Sequence, residues 1–182
     1  MRRVLTWIVG SVLWLSCGCA VAQERPQTVS AYFGGSGLVP FSDLSQRADI
    51  GFGGSGVLAV RPAPESSPEL ALELHLAYDV FGSARDEEGD VSFLLTGVGL
   101  RLDHMSAGRP GLFITIRGGL ASVSVGEDTG AGRPELTESD PYAAVGVGFE
   151  SRRFFVQAQV VNVFGTFIKN YTWLPVTAGV RF

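Results

Sequence analysis

Apolar and polar residues alternate along most of the chain. The clearest case runs from Leu70 to Val80, where every second residue is leucine, tyrosine or valine and the intervening residues include Glu73, His75 and Asp79. A period of two is typical of a β-strand with one apolar and one polar face. In a helix, residues two positions apart point about 200° apart, so these leucines would be scattered around it.

The same alternation recurs along the chain and predicts eight strands. We place these strands at 28–37, 48–61, 69–81, 91–103, 111–124, 142–151, 154–164 and 171–182. Segments of this length are long for a soluble sandwich, whose strands usually have about five or six residues. They match the roughly 9–11 residues that a tilted strand needs to cross a bilayer.

The links between these strands alternate in length. The links after odd-numbered strands are mostly long and occupy 38–47, 82–90, 125–141 and 165–170. The links after even-numbered strands are shorter and occupy 62–68, 104–110 and 151–153. Short turns at one end and long loops at the other are typical of barrels in the bacterial outer membrane, whose short turns face the periplasm. We therefore predict an all-β protein, an eight-stranded antiparallel up-and-down transmembrane β-barrel.

Alternation alone does not decide which face of the sheet points outward. In a soluble barrel the polar positions would face water and would favour Lys, Glu and Thr. Here they are mostly glycines and other small residues with a few large charges, as in Gly97, Gly99, Arg101 and Asp103. Such residues fit the narrow interior of an eight-stranded barrel, and glycine on a water-facing surface would weaken a strand without benefit. We therefore expect the apolar face to contact lipid.

Composition narrows the function classes. The chain has 24 glycines and 18% charged residues, whereas a typical soluble domain has about 25% charged residues. Its 14 basic residues are scattered and are outnumbered by 18 acidic residues, so we expect no nucleic-acid partner. Aromatic residues near strand ends are expected to contribute to the girdles at the membrane interfaces. These residues are Phe81, Phe149, Phe154, Phe164, Tyr171 and Trp173.

The first 22 residues have the features of a secretory signal peptide. Arg2 and Arg3 precede an apolar run, and Ala20-Val21-Ala22 is typical of a cleavage site. We therefore divide the chain into a cleaved segment, 1–22, and an outer-membrane barrel domain, 23–182. A membrane anchor helix is the less favoured alternative because the apolar run is short.

Both cysteines of the chain, Cys17 and Cys19, lie in this segment. Neither has the usual residues that precede a lipoprotein cysteine, so a lipid anchor is also less favoured. Cleavage at Ala22 leaves a domain without thiols. Disulfides, thiolate catalysis and cysteine-bound zinc are then excluded from the exported domain.

The end of the chain has the most specific pattern. Apolar residues alternate up to a final aromatic residue at Leu174, Val176, Ala178, Val180 and Phe182. Together with the eight alternating segments, this pattern resembles the small eight-stranded outer-membrane barrels of Gram-negative bacteria, the OmpA/OmpX-like group. The resemblance implies that these residues form the signal read by the outer-membrane assembly machinery.

The resemblance also implies an outer-membrane location, reached by export through the periplasm, with outer-membrane lipid and lipopolysaccharide as partners. We expect a monomer. Two residues depart from the pattern. Pro175 lacks a backbone donor and predicts a bulge or an irregular closure with the first strand, whereas Asn162 is expected near the outer interface.

Large charged residues on the inward face are predicted to form an ion-pair network in the lumen. The network comprises Arg61, Glu73, Arg101, Asp103, Arg117, Glu150 and Arg181. A charge in a low-dielectric lumen needs a partner, and the guanidinium fork of arginine suits carboxylates. We expect Glu73 and Arg101 on neighbouring strands at similar height. In the alternative interpretation, several of these charges reach periplasmic water separately.

The chain offers little for catalysis or metal binding. His75 and His104 are its only histidines, and we expect no catalytic residue, metal or cofactor. His104-Met105-Ser106 matches a short pattern of the lipid A deacylase barrels, but the strand assignment puts it in a periplasmic turn. The catalytic residues of that family lie near the outer leaflet.

The loops opposite the chain ends are acidic. Asp86-Glu87-Glu88-Gly89-Asp90 lies in one loop, and the longest loop, 125–141, contains Glu127, Asp128, Glu135, Glu138 and Asp140. Paired carboxylates can bind Ca²⁺ or Mg²⁺, but solvated surface charge is favoured because the spacing matches no defined metal loop. The sequence therefore predicts a structural or interaction scaffold that displays loops to an unknown ligand. A small porin-like channel and a lipid A-modifying enzyme are the alternatives.

Overall fold

Eight antiparallel strands form one closed barrel in which each strand pairs with its sequence neighbours and the first strand pairs with the last. The computed structural model describes residues 29–62, 69–83, 90–104, 111–125, 136–165 and 170–182. The strands are β1 (Val29–Phe41), β2 (Ala48–Val60), β3 (Glu69–Ser83), β4 (Val91–Asp103), β5 (Gly111–Val125), β6 (Leu136–Glu150), β7 (Phe154–Val163) and β8 (Tyr171–Arg181). The predicted fold class is confirmed. The segment assigned to the signal peptide lies outside the described residues.

The exterior of the barrel is apolar. Leu72, Leu74 and Leu76 of β3 point outward, and each has more than half of its surface exposed (54–57%). Outward residues of β4 to β8 continue this belt, with Val98, Ile116 and others similarly exposed. An apolar surface of this extent suits hydrocarbon rather than water. The prediction that the apolar positions face outward is confirmed.

Within the described ranges, no helix has the length and the apolar character that crossing a bilayer requires. A single 3₁₀ turn, Leu44–Gln46, lies in the link between β1 and β2 that the sequence predicts as a loop.

Two strands extend at least four residues beyond their predicted bounds. β1 reaches Phe41 instead of residue 37, and β6 begins at Leu136 instead of residue 142. The first residues of β6 pair with the end of β5, from Val125↔Leu136 to Ala121↔Asp140. A strand that continues past the hydrocarbon no longer needs apolar residues on one face, so its composition resembles that of a loop. The predicted loop 125–141 is therefore confined to 126–135, which lies outside the described residues.

Pro175 disturbs the sheet on the opposite side from the one predicted. The pairing of β8 with β1 is continuous through Leu38↔Pro175. The pairing of β8 with β7 lacks two consecutive pairs, between Ala158↔Val176 and Val161↔Trp173, and resumes in the same register. Because proline has no N–H to donate, the ladder is interrupted at this point. The prediction of an irregular closure with the first strand is wrong.

The apolar belt predicts a depth-dependent cost of charge. We expect Leu76→Arg, at the centre of β3, to lower the free energy of unfolding by roughly 2–4 kcal/mol, and Leu70→Arg, near the strand end, by about 0–1 kcal/mol. Urea unfolding of the barrel in lipid vesicles measures both values. Equal costs at the two positions would contradict a lipid-facing belt.

Candidate functional site

The inward side chains fill the lumen in three layers. We call the end of the barrel where β1 begins and β8 ends the terminus end, and the opposite end the loop end. The floor, at the terminus end, consists of Ser30, Tyr32, Arg61, Arg101, Asp103, Phe113, Glu150, Phe155 and Arg181. The middle layer consists of Glu73, His75, Thr115, Arg117, Gln157 and Gln159. The cap, at the loop end, consists of Leu38, Leu44, Asp79, Phe81, Phe93, Leu95, Tyr171 and Trp173.

Alternating charges cross the floor in one continuous chain. Asp103 accepts hydrogen bonds from Arg61 Nη2 at 3.1 Å and from Arg101 Nε at 2.7 Å. Glu150 accepts hydrogen bonds from both Arg101 and Arg181. The five residues link the ends of β2, β4, β6 and β8. Each carboxylate of the floor therefore has two arginine partners.

Aromatic rings pack against the arginines of the floor. The Arg101 guanidinium carbon lies 3.7 Å from the Phe113 ring centroid and 4.8 Å from that of Tyr32. The Tyr32 hydroxyl accepts a hydrogen bond from Arg61 Nη2 at 2.9 Å, and its ring meets Phe155 edge-on with centroids 5.6 Å apart. Cation–π contacts of this kind stabilise a charge that is removed from water.

A second ion pair lies in the middle layer, separate from the floor chain. Arg117 Nε donates to Glu73 Oε2 at 2.7 Å, and both side chains are buried. Arg117 Nη1 also donates to Gln159 Oε1 at 3.0 Å. Gln157 Nε2 donates to Thr115 Oγ1 at 2.8 Å and to Gln159 Oε1 at 3.2 Å. Five of the six side chains of the middle layer thus form one hydrogen-bonded group.

Glycine in the barrel wall allows the pair to form between strands that are not neighbours. Glu73 lies on β3 and Arg117 on β5, and Gly99 of β4 is the register partner of both. A Cβ atom at Gly99 would lie 2.6 Å from Arg117 Cγ, so a larger residue there would displace the arginine. Glu73 therefore pairs with Arg117 and not with Arg101, which lies opposite Ala71.

The seven charged residues named from the sequence all point into the lumen, but their ion pairs form two groups instead of one network. The glutamines and the threonine of the middle layer were missed. Gln157 and Gln159 alternate with Val156, Ala158 and Val160, so their positions alone place them inside the barrel. The prediction considered only charged residues and therefore overlooked them.

Two other inward glycines have the same relation to large side chains. A Cβ atom at Gly148 would overlap the Phe113 ring, and one at Gly179 would lie 2.6 Å from the Phe155 ring. The absence of a side chain on one strand thus provides the volume for a ring on its neighbour. Close packing of this kind accounts for the high glycine content of the inward positions.

The cap consists largely of aromatic rings. Three of these rings were predicted to lie in the girdles on the exterior. Phe81, Tyr171 and Trp173 were expected in the outer girdles, but all three point inward and are buried. Trp173 lies 4.6 Å from Phe93 and 5.8 Å from Phe81 between ring centroids. The physical reason is parity: Phe81 shares the parity of Glu73, and Trp173 that of Pro175. Phe149, Phe154 and Phe164 are exposed on the exterior, as girdle residues must be.

The cap also contains one polar side chain and one residue of the 3₁₀ turn. Trp173 Nε1 donates a hydrogen bond of 2.9 Å to Asp79 Oδ2, which satisfies the indole within the apolar layer. Leu44, from the 3₁₀ turn, is fully buried in the same cluster.

Asp140 was expected to be a solvated loop charge, but it lies on β6 and is buried. That expectation was wrong because β6 already begins at Leu136 and places Asp140 at an inward position, opposite the buried Ala121.

The histidines are far apart and differ in environment. His75 is buried in the middle layer, where its Nδ1 lies 3.2 Å from the Tyr142 hydroxyl. His104 is exposed at the terminus end, directly after β4, and Met105 and Ser106 lie outside the described residues. Ser92 lies on β4, the strand next to that of His75, but it points outward. It therefore cannot pair with His75 as a catalytic serine would. In the part of the chain that the structure describes, no three or more His, Cys, Asp or Glu residues are placed to hold a metal ion.

No protein-family model matches the chain, and no curated protein matches it in sequence. Solved structures do match. Neisserial surface protein A (NspA) is 15% identical with a TM-score of 0.63, and the match covers 87% of this chain and 98% of that chain. The fold is that of the small eight-stranded outer-membrane β-barrels.

Two further matches show how widely this fold is used. The N-terminal β-barrel domain of Pseudomonas aeruginosa OprF is 17% identical with a TM-score of 0.54, and the match covers 87% of this chain and 100% of that one. The outer membrane enzyme PagL is 13% identical with a TM-score of 0.53, covering 84% of this chain and 98% of that one. Because these identities are low, the similarity concerns the fold.

Removing one partner of the middle ion pair should destabilise the barrel more than removing both. We expect Glu73→Leu to lower the free energy of unfolding by roughly 3–5 kcal/mol, because Arg117 is left buried without its carboxylate. The double variant Glu73→Leu/Arg117→Met should regain most of this loss. Urea unfolding in detergent measures the values, with Asp90→Asn, an exposed position, as the control. A double variant as unstable as Glu73→Leu would contradict the pairing.

Proposed function

We propose that this chain is an integral outer-membrane barrel with a lumen closed to ions, which serves as a structural or interaction scaffold and carries extracellular loops. The apolar exterior supports the membrane location, and so does the fold shared with outer-membrane proteins. The observation that carries the proposal is the occupation of the lumen at every level. Ion pairs and rings fill the terminus end, and aromatic and aliphatic side chains fill the loop end.

The two ends of the lumen resist ions for different physical reasons. An ion that crosses the floor has to displace guanidinium and carboxylate groups that already neutralise one another. An ion that crosses the cap has to lose its hydration among apolar rings, which is costly in a low-dielectric medium. An eight-stranded barrel has just enough interior for side chains. Closure at two levels therefore supports a scaffold over a porin-like channel.

The hairpin of β5 and β6 supports the display of a loop. Its last pairs carry outward serines, whereas the middle of the same two strands carries outward apolar residues such as Ile116 and Val145, and the Ser122 and Ser139 hydroxyls lie 3.2 Å apart. Hydroxyl groups suit the headgroup region or water instead of hydrocarbon. The end of the hairpin therefore emerges from the membrane at the loop end.

The last strand supports the proposed assembly signal. Leu174, Val176, Ala178 and Val180 occupy outward positions of β8, and Phe182 follows directly after the strand, beside the seam at which β8 closes on β1. A signal read before closure has to lie on an accessible face of a strand that is still unpaired. We propose the outer-membrane assembly machinery as its partner, and lipopolysaccharide as a partner of the exterior at the loop end.

Bilayer recordings test the closed lumen. We expect the unmodified protein to give no steady conductance at either polarity, and Trp173→Ala to remain closed because the floor is intact. Combining Trp173→Ala with Arg101→Ser and Glu150→Ser should produce conducting events, since both levels are then opened. Heat-modifiable gel mobility confirms that each variant is folded. A steady, large conductance of the unmodified protein would reject the proposal in favour of a channel.

The histidines decide between a scaffold and an enzyme. His75 is enclosed in the lumen and His104 lies at the terminus end, so neither is placed to act on a lipid at the loop end. We expect His75→Asn/His104→Asn to leave the lipid A of the expressing cell as the unmodified protein leaves it. Mass spectrometry of extracted lipid A measures this, with cells that lack the protein as the reference. A histidine-dependent change in lipid A would establish an enzyme.

A further inference from the structure

We propose that the turn between β6 and β7 binds the phosphate of an anionic phospholipid in the leaflet at the terminus end. This inference rests on the proposed membrane orientation. The turn is the three-residue link Ser151–Arg153, and both of its arginines, Arg152 and Arg153, are exposed. Arginine is well suited to phosphate because its planar guanidinium donates two parallel hydrogen bonds.

The backbone of the turn is held at two points. Ser151 N donates to Phe154 O at 2.8 Å, which closes the turn, and Arg181 N donates to Arg153 O at 2.8 Å, which ties it to β8. The two arginine side chains therefore start from fixed positions. Fixed positions reduce the conformational entropy that is lost when a headgroup is bound.

The apolar wall on either side indicates a lipid rather than a soluble anion. Phe149 at the end of β6 and Phe154 at the start of β7 point outward and are 48% and 64% exposed. Outward Val147 and Val156 continue the apolar surface into the belt. An acyl chain that lies on these strands places its phosphate at the level of the turn.

The distribution of charge at the terminus end favours an anionic headgroup. Asp103 and Glu150 are buried in the floor, where arginines already hold them. Among the side chains that the structure describes, the exposed carboxylates, such as Asp49 and Asp90, lie at the loop end. No ion pair joins Arg152 or Arg153 to another described residue. Among the described side chains, no exposed carboxylate at this end therefore competes with an anion for the turn.

The inference predicts local enrichment of phosphatidylglycerol beside the turn. The full-length protein carrying Phe154→Trp is reconstituted into vesicles of phosphatidylglycerol and phosphatidylethanolamine, with bromine on the acyl chains of only one of the two lipids. Quenching of the introduced indole, measured against the parent protein, reports which lipid lies beside it. We expect stronger quenching by brominated phosphatidylglycerol than its share of the bilayer predicts.

Replacing the arginines should abolish this preference. A basic residue near a membrane surface contributes about 1 kcal/mol, so Arg152→Gln and Arg153→Gln should each reduce the enrichment roughly fivefold. Arg47→Gln, an exposed arginine at the loop end, should leave it unchanged. Enrichment that survives the double substitution would overturn the inference. Equal quenching by the two lipids would also overturn it and would leave an acidic soluble partner as the ligand class. Absence of quenching by either lipid would overturn the membrane orientation as well.

Discussion

Closure of the sheet is the constraint on which the rest of this structure depends. A bilayer offers no partner to a backbone N–H or C=O group, so a strand edge cannot face hydrocarbon. The seam between β1 and β8 is accordingly paired along its whole length, and Ala31 and Phe182 extend it past the end of β8 through two further hydrogen bonds. The interruption at Pro175 lies on the other side of β8. The closure itself is thus unaffected by the one proline in the last strand.

Closure with eight strands also makes the lumen narrow, and a narrow lumen determines how charge is arranged inside it. The floor chain takes its residues from the ends of the even-numbered strands, because these strands run toward the terminus end. The middle pair takes its residues from β3 and β5, with glycine at the position between them. Buried ion pairs are weak evidence for stability, since hydrophobic replacements often stabilise a protein equally well. Their value here lies in specifying which strand ends meet.

Parity in the sequence predicted the fold and the side of the sheet on which most residues lie. It did not predict the ion-pair partners, because partner choice depends on the tilt of the strands and on gaps left by glycine. Glu73 and Arg101 lie on neighbouring strands at similar height, as expected, but the ion pair of Glu73 is with Arg117, since Gly99 opens the path between β3 and β5. The cap was missed for another reason. The alternation puts Phe81 and Trp173 at inward positions. They were assigned to the girdles only because they lie near strand ends.

The described charges are distributed differently at the two ends of the barrel. At the terminus end, Asp103 and Glu150 are buried in ion pairs and the turn exposes Arg152 and Arg153, whereas the exposed side-chain carboxylates that the structure describes lie at the loop end. Salt screens exposed charges and has little effect on buried pairs or on apolar contacts. The layers that fill the lumen are therefore insulated from ionic strength, while the exposed charges at both ends respond to it. Because the same fold carries an outer membrane enzyme in PagL, the function of this chain cannot be inferred from the sheet alone.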